Sequence, residues 1–368
     1  MKRRALIAGL LFLFSSSLAF AQANGKLQIH FMDVGQGDGA VLISPEGEVV
    51  LFDDGVLNNC ERPLAYLQQL GITQIDYLIA SHYHADHIGC TEQILRQFPL
   101  QNDALDRGGS YPSATFNRYV AAVGAHRRTA EPGTTILLGS PPNWVSITVV
   151  AVNADGLDTT DENSLSVVAQ VRYAGFTAEL GGDLVGTTRF GAVDVETRVA
   201  PRVGPIDLYK AHHHCSRYSS NDTWLGITMP TVAILSMGDA NTYSHPHPEC
   251  LDRLHSAAVV MTYWTETGNG AEPQPGQDVV AGNIVVETEI PQEGDQVFTV
   301  TIAGAPPDVY PVRGGMGGVS DPVFRDFRQN AAVISSRLAL SGASLARIGA
   351  PAAGSAGSEK PPATPAEP

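Results

Sequence analysis

Residues Ser81–Cys90 read S-H-Y-H-A-D-H-I-G-C and follow directly on Tyr77–Ala80, an apolar run with the length of a buried strand. No other stretch constrains the chain as tightly, because three histidines and one aspartate fall within six positions. His82 and His84 are two residues apart, so an extended segment points both the same way. Asp86 and His87 are adjacent, so their side chains diverge. A loop of this kind can offer one pair to one cation and the other pair to a second. Neutral imidazole and carboxylate are ligand types that suit zinc, iron or manganese. The plainer alternative is a run of solvent-facing polar residues at a strand end. Chance seldom places four such groups just ahead of Ile88-Gly89.

The other histidines strengthen the metal reading. Eight of the eleven lie in three clusters, the loop above, His212-His213-His214, and His245 with His247, which favours a site over scattered histidines. Asp183 follows Gly181-Gly182 at a strand end, where backbone can approach closely and a carboxylate can bridge two cations. Taken alone, G-G-D is more often a turn with a helix cap. The triple histidine follows the expected strand Ile206–Tyr209. One member is expected to be a ligand and another a hydrogen-bond donor or acid towards substrate, with exposed loop histidines as the plainer alternative. Asn241-Thr242-Tyr243-Ser244-His245-Pro246 reads as a loop stiffened by Pro246 and Pro248. His245 is placed there to contact a substrate oxyanion or to support a ligand; a purely structural loop is the alternative.

The two ends do not read as parts of a fold. Lys2-Arg3-Arg4, the apolar Ala5–Phe14 and small-residue cleavage sites near Ala21 or Ala23 form a secretory signal peptide over residues 1–23. An uncleaved anchor is the alternative, although the apolar stretch is short for a membrane span. The mature protein is therefore expected to be periplasmic or secreted, with no membrane span after cleavage. Residues 349–368 are mostly Ala, Pro, Gly and Ser and are expected to form a disordered tail. The formal net charge is −15, and loss of the basic leader makes the mature chain more acidic still. Such a chain repels polyphosphate backbones at long range, which counts against a general binder of long nucleic acid. The four cysteines, Cys60, Cys90, Cys215 and Cys250, allow two disulfides in three pairings, or buried free thiols.

Between these ends, short strands alternate with helices. Strands are expected at Leu27–Asp33, Ala40–Ile43, Val49–Phe52, Tyr77–Ala80, Thr135–Leu138, Ser146–Val152, Ser166–Tyr173, Phe176–Leu180, Val232–Leu235 and Val259–Tyr263. Helices are expected at Arg62–Leu70, Thr91–Phe98 and Pro248–Ser256, and a hairpin at Asn283–Glu289 with Gln296–Ile302. Gln101–Arg128 resists assignment, and 321–347 is expected to hold a final helix or two. The pattern points to a layered mixed α/β domain.

Seven motifs occur in one order: Asp33-Val34-Gly35-Gln36-Gly37-Asp38, Phe52-Asp53-Asp54-Gly55, Ser81–Gly89, Glu162-Asn163-Ser164-Leu165, Gly182-Asp183, Lys210–Ser216 and Asn241–Pro246. In this the chain resembles the metallo-β-lactamase superfamily, in the branch of the exported hydrolase domain of competence protein ComEC and of phosphorylcholine esterases. The likeness spans roughly Leu27 to Gly268. It implies an α+β fold, a four-layer αββα sandwich, over residues 24–268, followed by a C-terminal hairpin and helical extension over 269–348. It further implies two divalent metal ions, zinc first, with manganese or iron as alternatives. His82 and His84 would hold one, Asp86 and His87 the other, Asp183 would bridge, and His213 or His214 would complete the second.

By the same resemblance, Asp38 and Asp53 would brace the loop, and Asn163, Ser216, Asn241 and Tyr243 would lie near substrate or support the ligands. Asn163 and Ser164 stand where many relatives carry a further histidine, for which His126 is a distant substitute. Cys90 and Cys215 replace glycines beside metal motifs. Pairing Cys60 with Cys90 and Cys215 with Cys250 would staple the walls of the site. The implied activity is an exported two-metal hydrolase acting on a phosphodiester or small ester through a water activated between the cations. Asp86, His213 and His245 are the expected catalytic groups, the histidines stabilising charge or delivering a proton. A secreted nuclease and a non-catalytic binding module are the alternatives. A β-lactam substrate is disfavoured by the absent third histidine.

Overall fold

The computed structural model describes residues 23–239 and 241–313. Residues 1–22 of the expected signal peptide, the helices expected within 321–347 and the expected tail at 349–368 lie outside the described residues. No helix among the described residues is long and apolar enough to cross a membrane.

The first part of the chain forms β1 (Leu27–Phe31), β2 (Gly39–Ile43), β3 (Val49–Asp54), α1 (Glu61–Gln69), β4 (Tyr77–Ile79), α2 (Ala85–Ile88), α3 (Thr91–Gln97), β5 (Ala104–Asp106), α4 (Ala114–Val123) and β6 (Arg127–Thr129). A second run follows with β7 (Thr135–Leu138), β8 (Val145–Ala151), β9 (Val168–Tyr173), β10 (Phe176–Leu180), α5 (Val195–Val203), β11 (Leu208–Lys210), α6 (Asp222–Thr228), β12 (Val232–Leu235), α7 (Pro248–Ser256), β13 (Met261–Trp264) and β14 (Asp278–Val280). The last strands are β15 (Ile284–Thr288), β16 (Val297–Ile302) and β17 (Asp308–Pro311). One sheet runs β17-β16-β15-β1-β2-β3-β4-β5-β6 and the other β14-β13-β12-β11-β10-β9-β8-β7.

Three apolar layers explain why so many strands are hydrophobic on both faces. Leu27, Ile29, Phe31, Val50 and Phe52 of the first sheet meet Val145, Ile147, Val171, Leu208 and Ile234 of the second. The opposite face of the first sheet, with Val41, Val49, Leu51 and Leu78, packs on Leu67, Ile94, Phe116 and Tyr119 from α1, α3 and α4. The opposite face of the second sheet, with Tyr209, Ala233 and Leu235, packs on Val199, Trp224, Leu225 and Leu251 from α5, α6 and α7. This is the expected αββα sandwich, and strands covered on both faces lose the polar alternation of a half-exposed sheet.

Strands beyond residue 268 complete both sheets. β14 pairs with β13, and Leu27↔Thr288 opens the antiparallel ladder of β1 with β15. The expected edge of the domain at 268, with a separate hairpin after it, is therefore not an edge of the sheets. The hairpin itself forms where it was read, but a local pattern cannot name its distant partner. The unassigned stretch 101–128 holds β5, α4 and β6, two of them three-residue strands too short to show a period.

The parallel ladders set the site. β3, β4 and β5 run parallel in the first sheet, and β10, β11 and β12 in the second. Asp53, the loop at 81–84, Asp183 and His212–His214 therefore all issue from the C-terminal ends of strands at one edge of the sandwich.

Candidate metal centre

Tyr83 anchors the loop that carries the first two histidines. Its ring is fully buried between Phe116, centroid 4.5 Å away, and the Arg107 guanidinium at 4.2 Å. Its hydroxyl lies 2.8 Å from both Asp106 Oδ1 and Gly108 O, sharing its one proton between them, and its backbone N–H donates to Glu162 Oε1 at 2.9 Å. Glu162 in turn accepts both arms of Arg107, at 2.7 and 2.6 Å. With Tyr83 turned one way, extended backbone turns His82 and His84 the other, and their rings meet edge-on at 4.7 Å. Burial foremost pushes the His84 imidazole down to about 4, against the pull of Asp86 and Asp183, and lowers His82 as well. Both are thus held in the neutral form that binds a metal.

Asp53, at the end of β3, aims the next ligand. It accepts from Ser81 N at 2.8 Å and Ser81 Oγ at 2.6 Å, and pairs with His87 Nδ1 at 2.8 Å. That contact fixes the ring and leaves Nε2 facing the site. The turn 33–38 lies hard against α2: Asp38 N donates to Asp86 O at 3.1 Å. Gly37, at φ +124°, is required there, since a Cβ would stand 2.1 Å from Asp86 O.

From the second sheet come Asp183 and the triple histidine. His214 Nδ1 donates to Ser236 O at 2.8 Å, and Nε2 lies 3.5 Å from both Asp86 Oδ2 and Asp183 Oδ2. Asp38 lies 3.2 Å from His214 and forms an ion pair with buried Lys210. His213, His214 and Cys215 have φ of 51°, 52° and 58°, three consecutive non-glycine residues in left-handed backbone, each costing about 1–2 kcal/mol.

Two ligand groups result, with Asp183 between them: His82, His84 and Asp183 form one, and Asp86, His87 and His214 the other. Asp183 Oδ1 is 3.3 Å from His87 Nε2, and Oδ2 is 3.9 Å from His82 Nε2. His87 Nε2, His214 Nε2 and Asp183 Oδ1 are buried without a hydrogen-bond partner, a costly arrangement that a divalent cation would relieve. The nitrogen and oxygen donor set fits zinc, manganese or iron.

Of the triple, His214 joins the second group, while His213 Nε2 stands 3.7 Å from Asp183 at the margin. His212 instead is a buried brace between Glu179, at 3.2 Å, and Glu196, at 2.7 Å. His245 is buried with neither ring nitrogen hydrogen-bonded, its ring 5.6 Å from His213 and 5.7 Å from His214. Asn241 folds that loop by accepting from Tyr243 N and His245 N and donating to His245 O, and the Tyr243 ring stacks on His245. Ser216 closes the left-handed turn, its N–H donating to His213 O at 2.8 Å. Asn163 is buried with Oδ1 unpartnered but belongs to neither ligand group. His126 is not a substitute ligand: it bonds Asn102 O at 2.5 Å, next to edge strand β6.

Tyr83, Arg107, Asp106 and Lys210 carry no role in the sequence reading. The opposite facing of Tyr83 in H-Y-H was the available signal for the first. All four cysteines are paired, Cys60 with Cys90 and Cys215 with Cys250, as expected and not as free thiols. The loops they close give about 3–4 kcal/mol each on the chain-entropy account.

Comparison with known proteins identifies the family. The profile described as "Metallo-beta-lactamase superfamily" matches residues 39–239. The chain is 26% identical over 254 residues to "ComE operon protein 3" of Bacillus subtilis, covering 64% of this chain and 32% of that protein. It is 28% identical over 254 residues to "Recombination protein 2" of Haemophilus influenzae, covering 67% and 29%. The chain thus spans about a third of the length of these curated relatives. It also superposes on the metallo-beta-lactamase fold protein YhfI of Bacillus subtilis with a TM-score of 0.40 and 13% identity, covering 66% of this chain and 98% of that one. With most of its described residues inside the matched profile, the chain belongs to the metallo-β-lactamase superfamily, a family of metal-dependent hydrolases.

Proposed function

We propose that this protein is an exported hydrolase that uses two divalent metal ions, zinc foremost, on a small phosphodiester or related ester. The observation that carries the reading is Asp183, whose two carboxylate oxygens stand between the ligand groups, Oδ1 towards His87 and Oδ2 towards His82 and His214. His82, His84 and Asp183 would hold one ion and Asp86, His87, His214 and Asp183 the other. Bound metal supplies Lewis acidity and a water made nucleophilic near neutral pH. The chain supplies the rest. Asp53 and Ser236 O orient His87 and His214. His213 and His245 stand beside the second group, where they can stabilise developing negative charge; burial keeps His245 neutral, a hydrogen-bond donor only, and His213 is the one placed to pass a proton to the leaving oxygen.

The net charge of −15 favours a small substrate over a long polyanion. A secreted nuclease is the second reading, favoured by curated relatives named "Recombination protein 2" and "Competence protein ComA". Export is supported by the leader-like N-terminus and by two disulfides. The test is metal analysis of the purified chain with a panel of chromogenic diesters, dinucleotides, DNA, esters and a β-lactam. About two equivalents of zinc with chelator-sensitive diester hydrolysis are expected. Turnover of DNA in preference to diesters selects the nuclease, and absence of both metal and turnover overturns the proposal.

A further inference from the structure

We propose that the Cys215–Cys250 disulfide is a positioning device for His214, holding the turn His213–Cys215 in left-handed backbone while Ser236 O fixes the ring, so that His214 faces Asp86 and Asp183. The inference rests on the two-metal reading for the role of His214, and on the backbone for the rest.

Three non-glycine residues in succession at φ 51°, 52° and 58° do not adopt that form by preference. The last ladder bond of the strand before them is Ala211 N to Ile234 O, after which the chain leaves the sheet. Inside the turn, His213 N donates to Gly182 O at 3.1 Å and Ser216 N to His213 O at 2.8 Å. Neither bond restrains the Cβ of residue 215. The disulfide does, tying it to the first turn of α7.

A second tie runs beside it. His247, the residue that caps α7, donates its N–H to Cys215 O at 2.9 Å, and its ring nitrogen Nδ1 accepts from Arg217 N at 3.2 Å. His245 lies two residues upstream, against the rings of both His213 and His214. One crosslink therefore registers the ligand turn against the His245 loop. Cys215 and Cys250 are fully buried, which suits a permanent tether and not a switch exposed to solvent reductants.

At residue 215 glycine accepts positive φ at no steric cost, whereas alanine, as at Ala154 and Ala174, adopts it only at a cost of about 1–2 kcal/mol that the rest of the fold must offset. The full chain is prepared as wild type, as Cys215→Ala/Cys250→Ala and as Cys215→Gly/Cys250→Ala, with folding checked by circular dichroism. Zinc content is measured at equilibrium, and amide hydrogen exchange across 211–217 is followed in metal-free protein. The alanine pair is expected to lose one of two zinc equivalents, with affinity for it about tenfold or more weaker, and to exchange faster. The glycine pair is expected to recover both properties.

Wild-type zinc and exchange in the alanine pair overturn the proposal, as does a folded glycine pair that behaves like the alanine pair. Should the alanine pair not fold, the glycine pair decides: folded with two equivalents supports the proposal, and failure to fold or loss of zinc overturns it. A wild-type protein that binds no zinc overturns the metal reading, while the exchange pattern still decides the tether.

Discussion

His84 and His214 face one another's sheets across the same centre, yet they are aimed by different means. His84 sits in an extended loop whose alternation turns it inward, and the loop is held by Tyr83 on its other side, through Phe116, Asp106, Arg107 and Glu162. His214 sits in left-handed backbone that its own residue types do not favour, held by a disulfide and a bond to the cap of α7. On the first sheet the direction of a ligand follows from chain geometry, with packing as reinforcement. On the second it follows from a long-range constraint imposed on unwilling backbone. The two sides should therefore fail differently.

Asp183 stands between the two ligand groups, so its loss should erase the distinction. Asp183→Ala is expected to abolish binding of both metals and cut kcat/KM by about a thousandfold or more; wild-type metal content in that variant would break the shared-ligand account. Glu162→Ala strikes the first side alone, leaving the Arg107 guanidinium buried without its carboxylate. A loss of about 3 kcal/mol in urea unfolding is expected, and an unchanged midpoint would show that the Tyr83 anchor does not depend on the pair.

His213→Ala tests the second side without touching a member of either ligand group. Two zinc equivalents should remain while kcat falls about a hundredfold; loss of a metal would make His213 a ligand after all. Asp53→Asn should have the smallest effect, because asparagine tolerates the φ of 52° there and can still accept from His87. Affinity for the second metal should weaken about tenfold, read by competition with a chelator, with a smaller loss at the His82–His84 group, whose loop Asp53 also holds through Ser81.

Much of the first side was legible in the sequence, because alternation in H-Y-H and the strand before it are local facts. The choice between His213 and His214 was not, since three successive left-handed residues follow neither strand nor helix periodicity. The Arg107, Asp106 and Tyr119 support was hidden for a different reason: each is a single polar residue in a weakly patterned stretch, and Tyr83 and Glu162 are remote from it in sequence. α5 also escaped, with Pro201 inside it and charged residues along its exposed face. Both disulfide pairings followed from the resemblance and the positions of Cys90 and Cys215, not from spacing alone.

The pairing of β1 with β15 has a consequence for the order of events in the life of the chain. Among the described residues Leu27–Phe31 is the first strand, and one of its two neighbours, Ile284–Thr288, is the third from last. Until that neighbour emerges, an apolar strand offers unpaired backbone to any passing chain. Contacts of such long sequence separation form slowly. Until residues 284–288 have been made, β1 therefore lacks one of its two neighbours, and the first sheet, which carries Asp53 and the loop of His82 and His84, is incomplete.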